Sequence, residues 1–185
     1  MDHGERRSTD VTETLTMALP EQEAPSRFED LYRACRDDVF AYVATLLRDR
    51  ASAEDVTAQA FERAYRRRRT FDARRGNERA WLFGIARNAA LDELRRRRRV
   101  ATLAADVEDV AAAPVDEADA STTRAAIRAA MASLEPRERE VIALKFFGGL
   151  SNDELARVLG TSASNAGTIL HRAVQRLRKA CHVTP

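Results

Sequence analysis

Apolar residues recur at three- and four-residue steps through much of the chain, a spacing that predicts amphipathic helices rather than strands. The first stretch contains Phe28, Leu31, Tyr32, Cys35, Val39, Tyr42, Val43 and Leu46. The second contains Val56, Ala60, Phe61, Ala64 and Tyr65. The third contains Trp81, Leu82, Ile85, Ala86, Ala89 and Leu94, and runs into five consecutive arginines at 95–99. Because three such helices can bury one small core, we expect a first domain over residues 27–99.

Turn and cap signals mark the ends of these helices. Ser52 is the N-cap candidate for the second helix, and residues 70–77 are polar and glycine-containing, which predicts a loop before the third. Residues 1–26 lack apolar periodicity and are predicted to be a flexible tail. Residues 100–122 also lose periodicity, turn acidic and include Pro114, so we interpret them as a flexible linker.

A second helical domain is predicted over residues 123–182. Pro136 suits the first turn of a helix, and the glycine pair at 148–149 would end that helix. Ser151, with Glu154 three residues later, forms a capping-box pattern for a short helix that Gly160 would end. A last helix is expected over residues 163–180. Its inner face would hold Ala166, Ile169, Leu170, Ala173 and Leu177.

The short capped helix, the turn and the longer helix over residues 151–173 match the spacing of a helix-turn-helix, whose second helix lies in the major groove of DNA. Hydroxyl, amide and cationic side chains on the exposed side of that helix can read base edges or neutralise phosphates. These are Ser162, Ser164, Asn165, Thr168, His171, Arg172 and Arg176. The alternative is a helical hairpin that only packs within a bundle.

Charge is distributed unevenly, although the net charge is only +2. Residues 61–99 hold fourteen arginines against five acids, a balance of +9, and residues 100–123 hold six acids and no base. This asymmetry indicates a polyanion-binding block beside an acidic segment, the alternative being a solvated basic helix face. Trp81 and Asn88 add the aromatic and amide groups that favour single-stranded DNA. Taken alone, Trp81 also fits a core position.

Other classes of protein find little support. Cys35 and Cys181 form no C-x-x-C pair, and no set of His, Cys and acids has metal-ligand spacing, so we expect no metal and no cofactor. An enzyme acting on nucleic acid would need clustered carboxylates or an activated nucleophile. No apolar run reaches the roughly 20 residues of a membrane helix, and no signal-peptide core begins the chain. We therefore expect a cytoplasmic protein that is not an enzyme.

The order of the motifs resembles that of bacterial sigma factors. Residues 53–65, AEDVTAQAFERAY, look like the polymerase-binding segment, and residues 78–96 look like the promoter-melting segment. Residues 134–144 and 149–156 resemble the domain that reads the upstream promoter element, and Leu-His-Arg-Ala at 170–173 is typical of its last helix. With these two domains alone, the chain is most similar to the extracytoplasmic-function (ECF) group.

The resemblance implies an all-α protein of two small domains, the second containing the helix-turn-helix, joined by the acidic linker. Residues implied to dock on the clamp helices of the polymerase β′ subunit are Asp55, Gln59, Phe61 and Glu62. Residues implied to open the −10 element and hold a flipped base are Arg74, Arg75, Asn77, Trp81, Arg87, Asn88, Asp92, Arg95 and Arg96. Of these, Arg95 and Arg96, together with Arg97 and Arg98, would hold phosphates of the duplex just upstream.

By the same resemblance, the second domain would read the −35 element with the exposed residues of its last helix and would bind the β flap. The linker would thread the polymerase channels, and an anti-sigma factor is an expected partner. Gly167 and Ile169 stand where many members carry Lys and Arg, so Asn165 and Thr168 are expected to do more of the reading. At 58–59, Ala and Gln replace the usual Gln and Glu.

Two alternatives differ in kind from a polymerase subunit. Residues 134–177 also resemble the DNA-binding domain of free-standing regulators, which would require a sensor or receiver domain before them. Residues 28–99 lack the alternating strands and the phospho-acceptor pattern of such a receiver. The second alternative is a nuclease or recombinase, which would need the clustered carboxylates mentioned above, and the sequence offers no such cluster.

Overall fold

The computed structural model describes residues 27–104, 127 and 129–182 of the chain. Within these residues the fold is all-α, as predicted, and no strand occurs. The helices are α1 (Arg27–Leu47), α2 (Arg50–Arg67), α3 (Glu78–Ala104), α4 (Pro136–Phe146), α5 (Asn152–Leu159) and α6 (Ala163–His182). Residues 129–132 are also helical. The predicted tail and most of the predicted linker lie outside the described residues.

The first three helices pack their apolar stripes against one another. Val39 and Val43 of α1, Ala60 of α2 and Leu82 of α3 are fully buried. Tyr42 meets Phe83 edge-on, with ring centroids 5.5 Å apart. Since each large apolar side chain contributes about 1.5–3 kcal/mol on full burial, this shared core is the main stabilising feature of the first half. The periodicity of the sequence predicted most of these faces correctly, but Tyr65, which it placed with the buried residues of α2, is exposed.

Two predicted boundaries are wrong. The N-cap position of α2 is Asp49 rather than Ser52, and the Ser52 hydroxyl donates to Asp49 at 2.6 Å from inside the helix. The helix begins early because Arg48 adopts a left-handed backbone, φ 54°, which turns the chain sharply after α1. Helix α3 continues to Ala104, past the predicted end at Arg99. No glycine or proline interrupts residues 100–104, so the backbone hydrogen bonds continue.

Signals in the second half were interpreted correctly. Pro136 opens α4, and Ser151 and Glu154 form the predicted capping box at the start of α5. Gly160 ends α5 in the left-handed conformation, φ 66°, which glycine adopts without the strain of a Cβ. On the inner face of α6, Ala166 and Ala173 are fully buried, and Ile169, Leu170 and Leu177 are partly buried.

The two groups of helices pack directly on each other. Helix α4 lies against α1, and α5 lies against α3. Side chains of the second half join the hydrophobic core of the first, among them Val141, Leu144, Leu150 and Leu155. We call this packing of α4 and α5 on α1 and α3 the closed arrangement.

Candidate DNA and polymerase interfaces

A cavity of about 530 Å³ lies between the loop before α3, the first half of α3, and α5. We call it the slot. The loop contributes Thr70, Phe71, Asp72, Gly76 and Asn77; α3 contributes Ala80, Trp81, Gly84 and Asn88; and α5 contributes Glu154, Arg157 and Val158. The Phe71 and Trp81 rings lie 5.6 Å apart and form an aromatic wall. An aromatic wall with amide and carboxyl groups beside it is the chemistry that binds an unstacked base.

Three residues predicted to recognise the −10 element meet in this slot. Asn77, Trp81 and Asn88 all line it. The side-chain oxygen of Asn77 accepts from the Ala80 backbone N–H at 2.7 Å and so caps the start of α3. This contact orients the amide group toward the slot. Arg74 is exposed on the loop nearby, and the side chain of Arg75 lies outside the described part of the chain.

The remaining predicted −10 residues follow the slot along α3. Asp92 accepts from Arg95 at 3.0 Å and from Arg63 of α2 at 3.4 Å. Arg96 donates to Glu93 at 2.7 Å, and this hydrogen bond lowers the pKa of the Glu93 carboxyl. Since Arg95 and Arg96 are exposed, both guanidinium groups remain accessible to an approaching phosphate.

Arg97 does not share this exposure, although the sequence indicated a uniform basic run. Its guanidinium donates to the Leu47 carbonyl at 3.2 Å, to Asp49 at 2.8 Å and to Glu93 at 2.9 Å. It therefore ties the turn between α1 and α2 to α3. The signal in the sequence was Glu93, four residues earlier on the same face of the helix.

The residues predicted to dock on the polymerase form a stripe along α2. Asp55, Gln59 and Glu62 are exposed at positions i, i+4 and i+7, and so share one helix face. Phe61, in contrast, is 5% exposed and meets Tyr32 edge-on at 4.8 Å. Phe61 supports the stripe from the core and offers little surface to a partner.

The helix-turn-helix presents its predicted DNA face to solvent. The Ser162 hydroxyl caps α6 by accepting from the Asn165 backbone N–H at 3.2 Å. The exposed residues that follow are Ser164, Asn165, Thr168, His171 and Arg172. Arg176 is also exposed and donates to Glu138 of α4 at 2.9 Å. All seven predicted −35 residues thus lie on or beside one accessible surface.

A set of polar contacts holds the closed arrangement, and most of its members were missed from the sequence. Arg79 donates to the carbonyls of Phe147 at 2.6 Å and Gly148 at 2.7 Å. Arg87 pairs with Glu140 at 2.7 Å, and both side chains are largely buried. Such contacts join residues more than fifty positions apart, so no local pattern indicates them.

The closed arrangement also covers the slot. The Asn77 amide donates to Glu154 of α5, and a Cβ on Gly76 would lie 3.0 Å from the Arg157 guanidinium. Helix α5 is the bracing helix of the helix-turn-helix. In this conformation the slot is therefore closed on one side by α5, while the predicted DNA face of α6 remains exposed.

The fold and these surfaces define the class of helical DNA-binding proteins with a helix-turn-helix, here with an aromatic-lined slot on the first group of helices. Comparison with known families agrees: the model for sigma-70 region 2 matches residues 31–100, and the model for sigma-70 region 4 matches residues 124–177. The chain belongs to the ECF sigma factors of bacterial RNA polymerase. It is a transcription initiation factor and not an enzyme.

Three named relatives are also ECF sigma factors. The chain is 35% identical over 156 residues to the ECF sigma factor BldN of Streptomyces coelicolor, covering 82% of this chain and 59% of BldN. It is 27% identical over 184 residues to SigK of Mycobacterium tuberculosis, covering 97% of each. Identity to SigM of Bacillus subtilis is 25% over 155 residues, 81% of this chain and 92% of SigM. The chain thus spans less than two thirds of BldN and nearly all of SigK.

Solved structures share the fold. The sigma factor RpoE of Bartonella quintana, in complex with the anti-sigma factor NepR, has a TM-score of 0.73 at 23% identity and covers 85% of this chain and 98% of RpoE. CnrH, in complex with the cytosolic domain of CnrY, has a TM-score of 0.62 at 25% identity and covers 85% and 89%.

The described residues offer neither a membrane-spanning helix nor a metal site. No helix among them is long and apolar enough to cross a membrane. No three of their His, Cys, Asp and Glu side chains come together as a metal site would require.

Proposed function

We propose that this protein is a dissociable subunit that binds core RNA polymerase in the cytoplasm and directs transcription to promoters with particular −10 and −35 elements. One observation carries the proposal. A polar stripe on α2, an aromatic slot on α3 and an exposed helix-turn-helix follow one another along a chain that belongs to the ECF family. A free-standing regulator would use only the last of these three surfaces.

In the first half, the stripe of Asp55, Gln59 and Glu62 docks on the clamp helices of β′. The slot then receives a base extracted from the −10 element. Extraction costs a few kcal/mol of unstacking, and stacking on an aromatic side chain returns about 1–3 kcal/mol. Arg95 and Arg96 lie farther along α3 and hold phosphates of the adjoining duplex.

In the second half, α6 enters the major groove of the −35 element. Its hydroxyl and amide groups, including Asn165 and Thr168, read base edges, while Arg172 and Arg176 neutralise phosphates. The same domain contacts the β flap of the polymerase. The linker passes through the polymerase channels, where its acidic residues take the place of nucleic acid.

An anti-sigma factor is the expected negative regulator. RpoE of Bartonella quintana was solved with the anti-sigma factor NepR, and this chain has the same fold. We propose that a comparable protein binds this chain and keeps it from the polymerase. The closed arrangement is compatible with that role, because the slot is covered by α5.

Run-off transcription on pooled genomic promoter fragments tests the proposal. Purified core polymerase should give discrete transcripts only when this protein is added, and their start sites should reveal the two elements. Arg172→Ala should keep core binding and lose most transcripts, because it removes a phosphate contact from α6. A protein that neither binds core nor yields transcripts, yet binds duplex DNA alone, would be a free-standing regulator instead.

A further inference from the structure

Gly84 lies within α3, where the structure gives no reason for a glycine. Glycine is among the least favourable residues in a helix interior. Its backbone is not among those with positive φ, so any residue fits the conformation. A Cβ built on Gly84 meets no heavy atom within 4 Å, so close packing does not require its absence either. Neither local geometry nor packing accounts for the residue.

The position of Gly84 does account for it. Trp81 lies three residues before it and Asn88 four residues after it, so the three share one face of α3. All three line the slot. The missing side chain therefore leaves open the floor between the aromatic wall and the amide group of Asn88.

We infer that Gly84 is a specificity-determining residue, which sets the depth of the slot for the extracted promoter base. The inference rests on the proposed function and deepens it. A base lying against Trp81 extends over Gly84 toward Asn88, where its edge meets a hydrogen-bonding group. Any side chain at position 84 points into that path, and a larger one excludes the base.

Two substitutions of Gly84 separate effects on folding from effects on DNA binding. Gly84→Ala should raise the melting temperature by a few degrees, because alanine is the better helix former and has space. Gly84→Leu should retain its fold and its affinity for core polymerase. Ala101→Leu is the matched control, since it adds bulk at an exposed position near the far end of the same helix.

The decisive experiment measures the affinity of holoenzyme for fork-junction DNA whose non-template −10 bases are unpaired. The DNA sequence comes from a promoter found by run-off transcription. Gly84→Leu should weaken binding by roughly tenfold to a hundredfold, the range expected for one stacked base. Gly84→Ala should show a smaller loss with the same pattern, and Ala101→Leu should show none.

An abasic scan identifies the base concerned. At one −10 position, removing the base should weaken the wild-type complex to the level of Gly84→Leu, and the variant should lose nothing further. The inference is overturned if Gly84→Leu binds every fork as tightly as wild type, or if its deficit persists at every abasic position. Failure of the proposed function is distinguishable, because wild-type protein would then neither bind core nor give transcripts.

Discussion

Tyr42 shows how one buried polar atom can act against the packing around it. Its side chain is fully buried, yet its hydroxyl has no hydrogen-bond partner among the residues that the structure describes. Burial raises the pKa of this hydroxyl well above the usual tyrosine value, the charge of Glu140 raises it further, and the charge of Arg87 opposes the shift. A buried polar group without a partner is costly, so the hydroxyl opposes the packing that surrounds it.

Replacing Tyr42 with phenylalanine should leave the free energy of unfolding unchanged or raise it by about 1 kcal/mol, because the unpaired hydroxyl is removed and the ring is kept. Urea denaturation measures the change. Tyr65→Phe is the control, since Tyr65 is 50% exposed. A loss of more than about 1 kcal/mol in Tyr42→Phe would mean that the hydroxyl has a stabilising partner.

The same residue gives a pH dependence with a definite sign. Because the folded state raises the pKa of Tyr42, its contribution to stability is fully present below the ordinary tyrosine value of about 10. That contribution is lost as pH rises above this value, since the unfolded chain then releases a proton that the folded chain retains. Tyr42→Phe should lack this part of the alkaline loss.

At the scale of the element, α3 divides its run of arginines between two tasks. Arg96 is exposed and pairs with Glu93 on its own helix, whereas Arg97 reaches the end of α1 and the start of α2. Alternation of this kind follows from the helical period, because adjacent residues point about 100° apart. The run is therefore part surface and part scaffold.

Arg97→Ala should lower the free energy of unfolding by about 1–3 kcal/mol. The substitution removes the guanidinium that binds Asp49 and Glu93 and ties the α1–α2 turn to α3. Arg96→Ala should leave the free energy of unfolding nearly unchanged, because an exposed ion pair contributes little, and should weaken DNA binding by holoenzyme instead. Thermal unfolding and fork-junction binding measure the two effects. Equal loss of stability in both variants would contradict this division.

How much the sequence predicts depends on how local each signal is. The capping box of Ser151 and Glu154 and the stop at Gly160 are complete within ten residues, and both were predicted correctly. The start of α2 was misplaced because Ser52 is also a good cap, and only the sharp turn at Arg48 decides between them. Phe61 was assigned to two surfaces at once, and packing against Tyr32 decides for the core.

The contacts between the two halves in the closed arrangement were not predicted, because no local signal in the sequence indicates them. Arg79 binds backbone carbonyls near position 148, and any residue there would supply the same carbonyl. Arg87 was assigned to DNA because its sequence context resembles a promoter-melting segment, and nothing nearby indicates Glu140 as its partner. Such pairs depend on how the two halves pack.

At the scale of the whole molecule, the closed arrangement places α5 of the second half over the slot of the first half. Glu140→Ala should shift the chain toward separated halves, because it leaves Arg87 as a largely buried cation without that partner. This substitution should reduce the free energy that favours the closed arrangement by about 1–3 kcal/mol, less than for a fully buried pair. Each 1.4 kcal/mol shifts the equilibrium between closed and separated halves tenfold. Small-angle scattering should report a larger radius of gyration.

Glu138→Ala provides the control for this shift. Glu138 lies two residues before Glu140 on α4, but it pairs with Arg176 of α6 inside the second half. Its loss should destabilise that half without increasing the radius of gyration. If both variants expand the molecule equally, local unfolding of α4 explains the effect, and the Arg87–Glu140 pair does not hold the halves together.

The slot also contains an intrinsic fluorophore. Trp81 is the one tryptophan of the chain, and it lines the cavity that α5 covers. Its indole emission depends on the polarity and stacking of its surroundings, so departure of α5 and arrival of a base would alter the same signal in different ways. Opening of the molecule and capture of a base can thus be timed in stopped flow in the unmodified protein, without an added dye.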